Sequence, residues 1–178
     1  MANSLNVNPK HTFENFKGVP GGELVKRSFM EVLSGSRYML LVYGGVGNGK
    51  THLLEASAIE LYKQGKFCRV MNFPKMLSTL RSAINNPDMN YNEILNNYTY
   101  GERLIIDDVG AGEGDAKFCD KILEVIVCAR YGRGLFTMVS TNRDIETLPE
   151  RVLSRFKDKS TSYLVFNKAE DYRPKLTG

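Results

Sequence analysis

Gly44-Gly-Val-Gly-Asn-Gly-Lys-Thr51 is the stretch in which residue type and spacing most clearly imply chemistry. It matches G-x-x-x-x-G-K-[ST] at Gly44, Gly49, Lys50 and Thr51. Gly44, Gly45, Val46, Gly47, Asn48 and Gly49 supply a tight turn whose backbone N–H groups can approach phosphate oxygens. Lys50 is placed to reach the β- and γ-phosphates of a nucleotide, and the Thr51 hydroxyl to hold Mg²⁺. A second group follows the apolar run Leu104-Ile-Ile, which ends in Asp107 and Asp108. Asp107 at a strand tip would hold Mg²⁺, mainly through water. Asp108 would orient or deprotonate an attacking water, or else serve only as an acidic neighbour. Adjacent carboxylates repel, and a divalent cation relieves that cost. A third group is Ser140-Thr-Asn142, whose asparagine either hydrogen-bonds the γ-phosphate or the water, or is a plain turn residue. Arg151 and Arg155, four residues apart, share one helical face. They are either solvated surface arginines or groups that complete a transition state in a neighbouring subunit.

The elements around these residues must bring them together. Residues 38–43 form an apolar strand before the loop. Residues 51–64 form a helix after it, with Gly65 as its C-cap. Strand, glycine loop and helix N-terminus together make an anion site. Residues 23–34 read as a short amphipathic helix, 67–73 as a second strand, and 74–84 as a helix opened by Pro74. A turn at 85–88 and a short helix at 90–98 follow. Then come a strand at 102–107, a loop at 108–114 and a helix at 116–131 with an apolar stripe at 118, 122, 125, 126 and 129. The remaining elements are a strand at 135–140, a helix at 150–156 and a strand at 162–166. This alternation predicts an α/β fold, with apolar strands buried on both faces of a mainly parallel five-stranded sheet. The tips of the first, third and fourth strands are expected to converge. Residues 1–22 read as a flexible arm with a local anchor at Phe13 and Phe16 beside the nucleotide pocket, or, over residues 1–10, as a disordered tail.

The 178 residues suffice for one full core. The net charge of +4 is compatible with nucleic acid but too weak to imply it. Cys68, Cys119 and Cys128 lack metal or redox spacing and read as buried apolar groups in a reducing compartment. The two histidines, His11 and His52, argue against a histidine-based metal site. The absence of a long apolar run or a signal peptide argues against a membrane partner and for a cytoplasmic location.

The ordered set Thr12-Phe-Glu-Asn-Phe16, Tyr43 to Leu53, Leu104 to Gly110, Ser140 to Asn142 and Glu150 to Phe156 resembles the AAA+ ATPases of the replicative helicase-loader type. It is most similar to the DnaC/DnaI loaders and the related IstB transposition ATPases. The resemblance covers roughly residues 12–166, and His52 after Lys50-Thr51 adds to it. It implies a P-loop NTPase of the AAA+/RecA type, a three-layer α/β/α sandwich. By that likeness Asn142 is the polar sensor, Arg151 the arginine finger and Arg155 the second arginine of its box. The same likeness would place the segment with Phe16 close to the adenine side. It also implies ATP/ADP and Mg²⁺ as cofactors, a replicative DNA helicase and single-stranded DNA as partners, and self-association through the ATP site.

Two departures from the family pattern stand out. About 35 residues precede the first core strand, and only twelve follow the last, so a full C-terminal lid has no room. The expected division is an arm at 1–22, an ATPase core at 23–168 and a tail at 169–178. The chain reads either as an ATPase domain of a longer protein or as a small, complete phage loader. Lys75, Arg81 and Lys117 are the candidate DNA-phosphate contacts. Tyr91, Tyr98 and Tyr100 either stack on bases or cap the core. Three functions remain in contention: a helicase-loading ATPase, a transposase-associated ATPase of the IstB kind, and a nucleotide-gated binding module with little hydrolysis.

Overall fold

The computed structural model describes residues 7–16, 22–110 and 115–171. The helices are α1 (Gly22–Leu33), α2 (Lys50–Lys63), α3 (Phe73–Asn85), α4 (Tyr91–Tyr100), α5 (Ala116–Gly132) and α6 (Glu150–Lys157). The strands are β1 (Met39–Tyr43), β2 (Arg69–Asn72), β3 (Arg103–Val109), β4 (Phe136–Thr141) and β5 (Ser162–Phe166). They form one sheet in the order β2-β3-β4-β1-β5, and every pairing is parallel. This is a three-layer α/β/α P-loop NTPase fold.

The apolar run of β1 divides by the two-residue period of a strand. Leu40 and Val42 pack under α1 and α2, whereas Met39 and Leu41 face α3, α5 and α6. A sheet covered on both faces needs such continuous apolar strands. The order also sets β1 beside β4, and β4 beside β3. The C-terminal tips of all three strands therefore converge, as expected of an open α/β sheet.

Several boundaries and faces differ from those read in the sequence. Strand β2 is shorter: Phe67 remains outside it, exposed, and Phe73 enters α3 and is buried. Asn72 caps α3 through its side chain, which accepts from the Lys75 N–H at 3.4 Å. Strand β3 is longer and takes in Asp108 and Val109, which the sequence suggested were loop. Of the rest of that expected loop, Gly110 is a turn residue and residues 111–114 lie outside the described residues.

The arm is docked where it is described. Val7, Phe13 and Phe16 are buried in the same cluster as α1 and α2. The buried face of α5 is turned from the expected stripe: Ile122 and Ile126 are buried as expected, but Leu123, Val127 and Arg130 join them while Phe118, Val125 and Ala129 are only partly buried. Of the cysteines only Cys68 is buried, and burial pushes its thiol up to about 12. Cys119 and Cys128 are partly exposed, because the α5 core face passes beside them. Among the described residues no helix is long and apolar enough to cross a membrane.

Candidate nucleotide site

The loop between β1 and α2 takes its shape from its glycines. Gly44, Gly47 and Gly49 all have positive φ, at 141°, 72° and 88°. A side chain at Gly49 would also strike the Phe16 ring, 2.7 Å from a placed Cβ. The Lys50 ammonium is held inside the loop, donating to Gly44 O at 2.9 Å, Gly45 O at 2.5 Å and Asn48 Oδ1 at 3.0 Å. A cation so held must turn outward to meet phosphates, and its three acceptors keep it satisfied until then.

Facing the loop, β3 and β4 present their tips. The β3–β4 register slips between Ile106 and Val109, and within that bulge Asp108 has φ 64°. Aspartate tolerates this left-handed conformation better than most residues. The kink turns the two neighbouring carboxylates to different partners. Asp107 accepts from the Thr51 hydroxyl at 2.9 Å and from the Ser140 hydroxyl at 2.5 Å. Asp108 accepts from Asn142 Nδ2 at 2.9 Å, while its own N–H donates to Ser140 Oγ at 2.9 Å. Burial first, and the Asp107 charge second, push the Asp108 carboxyl above its ordinary range, with Lys50 opposing.

These groups line one cleft of about 410 Å³, together with His11 and residues 46–52. His11 stacks on His52 with ring centroids 4.5 Å apart, and His11 Nδ1 lies 2.6 Å from Glu55 Oε2. Burial pushes the His52 imidazole below its usual range, and its Nε2 donates to Thr12 O at 2.8 Å, since a carbonyl oxygen can only accept. Phe16 meets the His52 ring edge-on. His52 and Phe16 thus tie the arm to the loop. Phe16 does so from behind Gly49, and it does not itself line the cleft.

The sequence singled out neither Ser140 nor His11 as a site residue. Ser140 stood in the Ser140-Thr-Asn142 motif, but the strand period gives no hint that it faces both aspartates. His11 is brought to the cleft by docking of the arm, which local pattern does not encode.

The two arginines of α6 lie apart from this cleft. The Arg151 side chain is 68% exposed and pairs with Glu124 at 2.8 Å. Arg155 is half-buried, with its guanidinium 4.7 Å from the Tyr131 ring centroid. Of the pair, Arg151 is the one presented outward. Among the candidate DNA contacts, Lys75 and Lys117 are exposed, and Arg81 lies 5.0 Å from the Phe118 ring centroid. Tyr98 is buried and caps the core, so it offers no face for stacking. Tyr100 is exposed under Arg133, and Tyr91 is partly buried.

The arrangement can seat an anion on the loop N–H groups and the N-terminus of α2. It also sets hard oxygen donors on Thr51 and Asp107 beside that seat and a carboxylate–amide pair across from it.

The comparisons with known proteins agree with this geometry. The bacterial DnaA ATPase domain model matches residues 7–161. The replicative helicase loader DnaC of Escherichia coli is 26% identical over 187 aligned residues, covering 99% of this chain and 76% of the loader. The chromosomal replication initiator protein DnaA of Thermus thermophilus is 31% identical over 159 residues, covering 85% of this chain and 36% of the initiator. A solved replication initiator DnaA, bound to AMPPCP and single-stranded DNA, superposes with a TM-score of 0.79 at 26% identity. It covers 97% of this chain and 56% of that one. The chain therefore spans about three quarters of the loader, but only about a third to just over a half of the initiators. With its loop, paired carboxylates and strand order in place, the chain belongs to the bacterial DnaA ATPase domain family, among AAA+ ATPases similar to DnaA and DnaC.

Proposed function

We propose that this chain is an ATP-binding and ATP-hydrolysing module that helps place a replicative DNA helicase on single-stranded DNA. The observation that carries this reading is the alignment of nearly the whole chain with a helicase loader along most of that loader's length. The cleft supports it residue by residue. ATP or ADP phosphates would lie on residues 44–51, with Lys50 turned outward to them. The adenine side would be bordered by His52 and the arm anchored at Phe16. Thr51 and Asp107, 2.9 Å apart, are the oxygen donors that would hold Mg²⁺, which takes one or two protein oxygens and completes its shell with phosphate and water. When bound, that ion neutralises phosphate charge. Asp108 would take a proton from the attacking water, and Asn142 would hold Asp108 in place. Arg151 of a neighbouring copy would complete the site, with Arg155 supporting its helix from within. We assign the core to residues 23–168, with an arm before it and a tail after it, in a cytoplasmic protein.

Three outcomes test the parts. Asp108→Asn is expected to lower turnover about a hundredfold while nucleotide affinity changes less than about threefold, by single-turnover hydrolysis and equilibrium binding. Asp108 acts only when ionised, and its carboxyl is raised above the ordinary range. Turnover should therefore fall on acidification at a higher pH than an ordinary carboxylate would give, and Asp108→Asn should flatten that limb of the profile. Helicase capture on single-stranded DNA should require nucleotide and fail with Lys50→Ala. Equal capture by wild type and Lys50→Ala, with or without ATP, would sink the loading reading. Capture of a transposase instead would favour an IstB-like role.

The match to the initiator ATPase domain favours a second reading, a nucleotide-switched DNA-binding module. Nucleotide-dependent assembly on single-stranded DNA without helicase capture would select it.

A further inference from the structure

Beyond β5 the backbone turns back over the phosphate loop. Asn167, only 1% exposed, ties it there. Its N–H donates to Tyr43 O at 2.8 Å, and its Nδ2 donates to Asn48 O at 2.8 Å. Its backbone carbonyl accepts from Asn48 Nδ2 at 3.1 Å, and its Oδ1 accepts from the Ala169 N–H at 3.1 Å. That carbonyl also lies 2.4 Å from where a Cβ on Gly44 would stand. Asn48 in turn accepts from Lys50 Nζ. One buried asparagine pair thus connects the segment after β5 to the loop lysine.

Four residues further on, the Asp171 carboxylate rests against Gly47. A Cβ on Gly47 would fall 1.8 Å from Asp171 Oδ1 and 2.2 Å from its Cγ. Gly47 lines the nucleotide cleft. A carboxylate is thereby brought to the rim of a loop shaped to receive anions. Nothing in the catalytic assignment uses it, and a bound polyphosphate would share its surroundings.

We propose that residues 167–171 form a strap packed against the phosphate loop, in which Asn167 fixes the strap to the loop and Asp171, at Gly47, sets affinity as a built-in competitor of phosphate. This rests on the reading that the loop takes nucleotide phosphates. Its consequence is selectivity by charge. A like charge at the rim opposes ligands in proportion to their own charge, so it weakens ATP more than ADP and leaves adenosine unaffected. Salt screens the part of the effect that is open to solvent.

Equilibrium binding of ATP, ADP and adenosine to the full chain tests this, with wild type, Asp171→Asn and Asp171→Glu compared at low and high salt. Asp171→Asn is expected to tighten ATP about tenfold and ADP less, with adenosine unchanged and the gain reduced at high salt. Asp171→Glu keeps the charge and should stay near wild type. Unchanged or weaker ATP binding by Asp171→Asn overturns the proposal, as does an equal gain for adenosine. Lys50→Ala separates this from the underlying reading. If wild type and Lys50→Ala bind ATP equally, the loop is not the phosphate seat and both ideas fall. If Lys50→Ala weakens ATP while Asp171→Asn does not tighten it, only the strap does.

Discussion

Replacing Arg151 by alanine is expected to lower the ATPase rate of the assembled protein about a thousandfold, the scale on which an arginine supplied to a phosphoryl-transfer site acts. ATP binding by the dilute single chain should not change. The reason is positional. Arg151 is outside the cleft of its own chain, well exposed, and its pairing with Glu124 is a surface ion pair. Such pairs contribute about 0–1 kcal/mol, so its loss should leave unfolding nearly untouched. The measurement is specific activity against protein concentration, with and without single-stranded DNA. Wild type should rise with concentration, and Arg151→Ala should stay flat. A mixture of Arg151→Ala with Lys50→Ala should recover part of the activity, because a site with an intact loop then meets an intact arginine. Full activity of Arg151→Ala alone, rising with concentration as wild type does, would place catalysis within one chain.

The largest expected effect on stability belongs to Arg130, a residue remote from the chemistry. Its guanidinium is fully buried and donates to Thr137 Oγ1 at 2.8 Å and to the carbonyls of Tyr98 at 2.9 Å, Gly101 at 2.7 Å and Phe136 at 2.7 Å. It thereby joins α5 to the end of α4 and the start of β4. Burial lowers its pKa to about 10, so it remains charged at neutral pH. Arg130→Met fills the space but strands these acceptors, and the expected loss is about 3–5 kcal/mol, the range for breaking a buried charged network. Arg130→Lys should recover only part of it, since one ammonium cannot reproduce a planar fork of donors. Urea unfolding midpoints measure both. A midpoint unchanged in Arg130→Met would mean that the carbonyls find other partners.

Much of the fold was legible in local pattern. Each strand and helix of the sheet is where apolar periodicity and turn residues put it, to within a few residues. The errors fall where a long-range contact outweighs local preference. Phe73 looks like strand but enters a helix capped by Asn72 and is buried beneath it. Asp108 looks like loop but pairs in a bulged strand, because Ser140 accepts its N–H. Arg130 looks like the polar face of α5 but points inward, because five acceptors wait there. A hydropathy pattern treats arginine as polar and gives no sign of those acceptors.

By itself the sequence determined that a glycine loop, a lysine and a threonine sit at a strand–helix junction, with two acids at the end of another strand. Those are consequences of short-range geometry: the spacing of loop residues and the two- and 3.6-residue periods. Only the tertiary structure decided what meets what. Strand order sets Thr51 against Asp107, the β3 bulge separates the two acids, Ser140 touches both, and the segment after β5 folds back onto Asn48 and Gly47. The physical reason is that register, and the pairing of polar groups across distant segments, are fixed by the free energy of closing the whole core. No window of neighbouring residues contains that information.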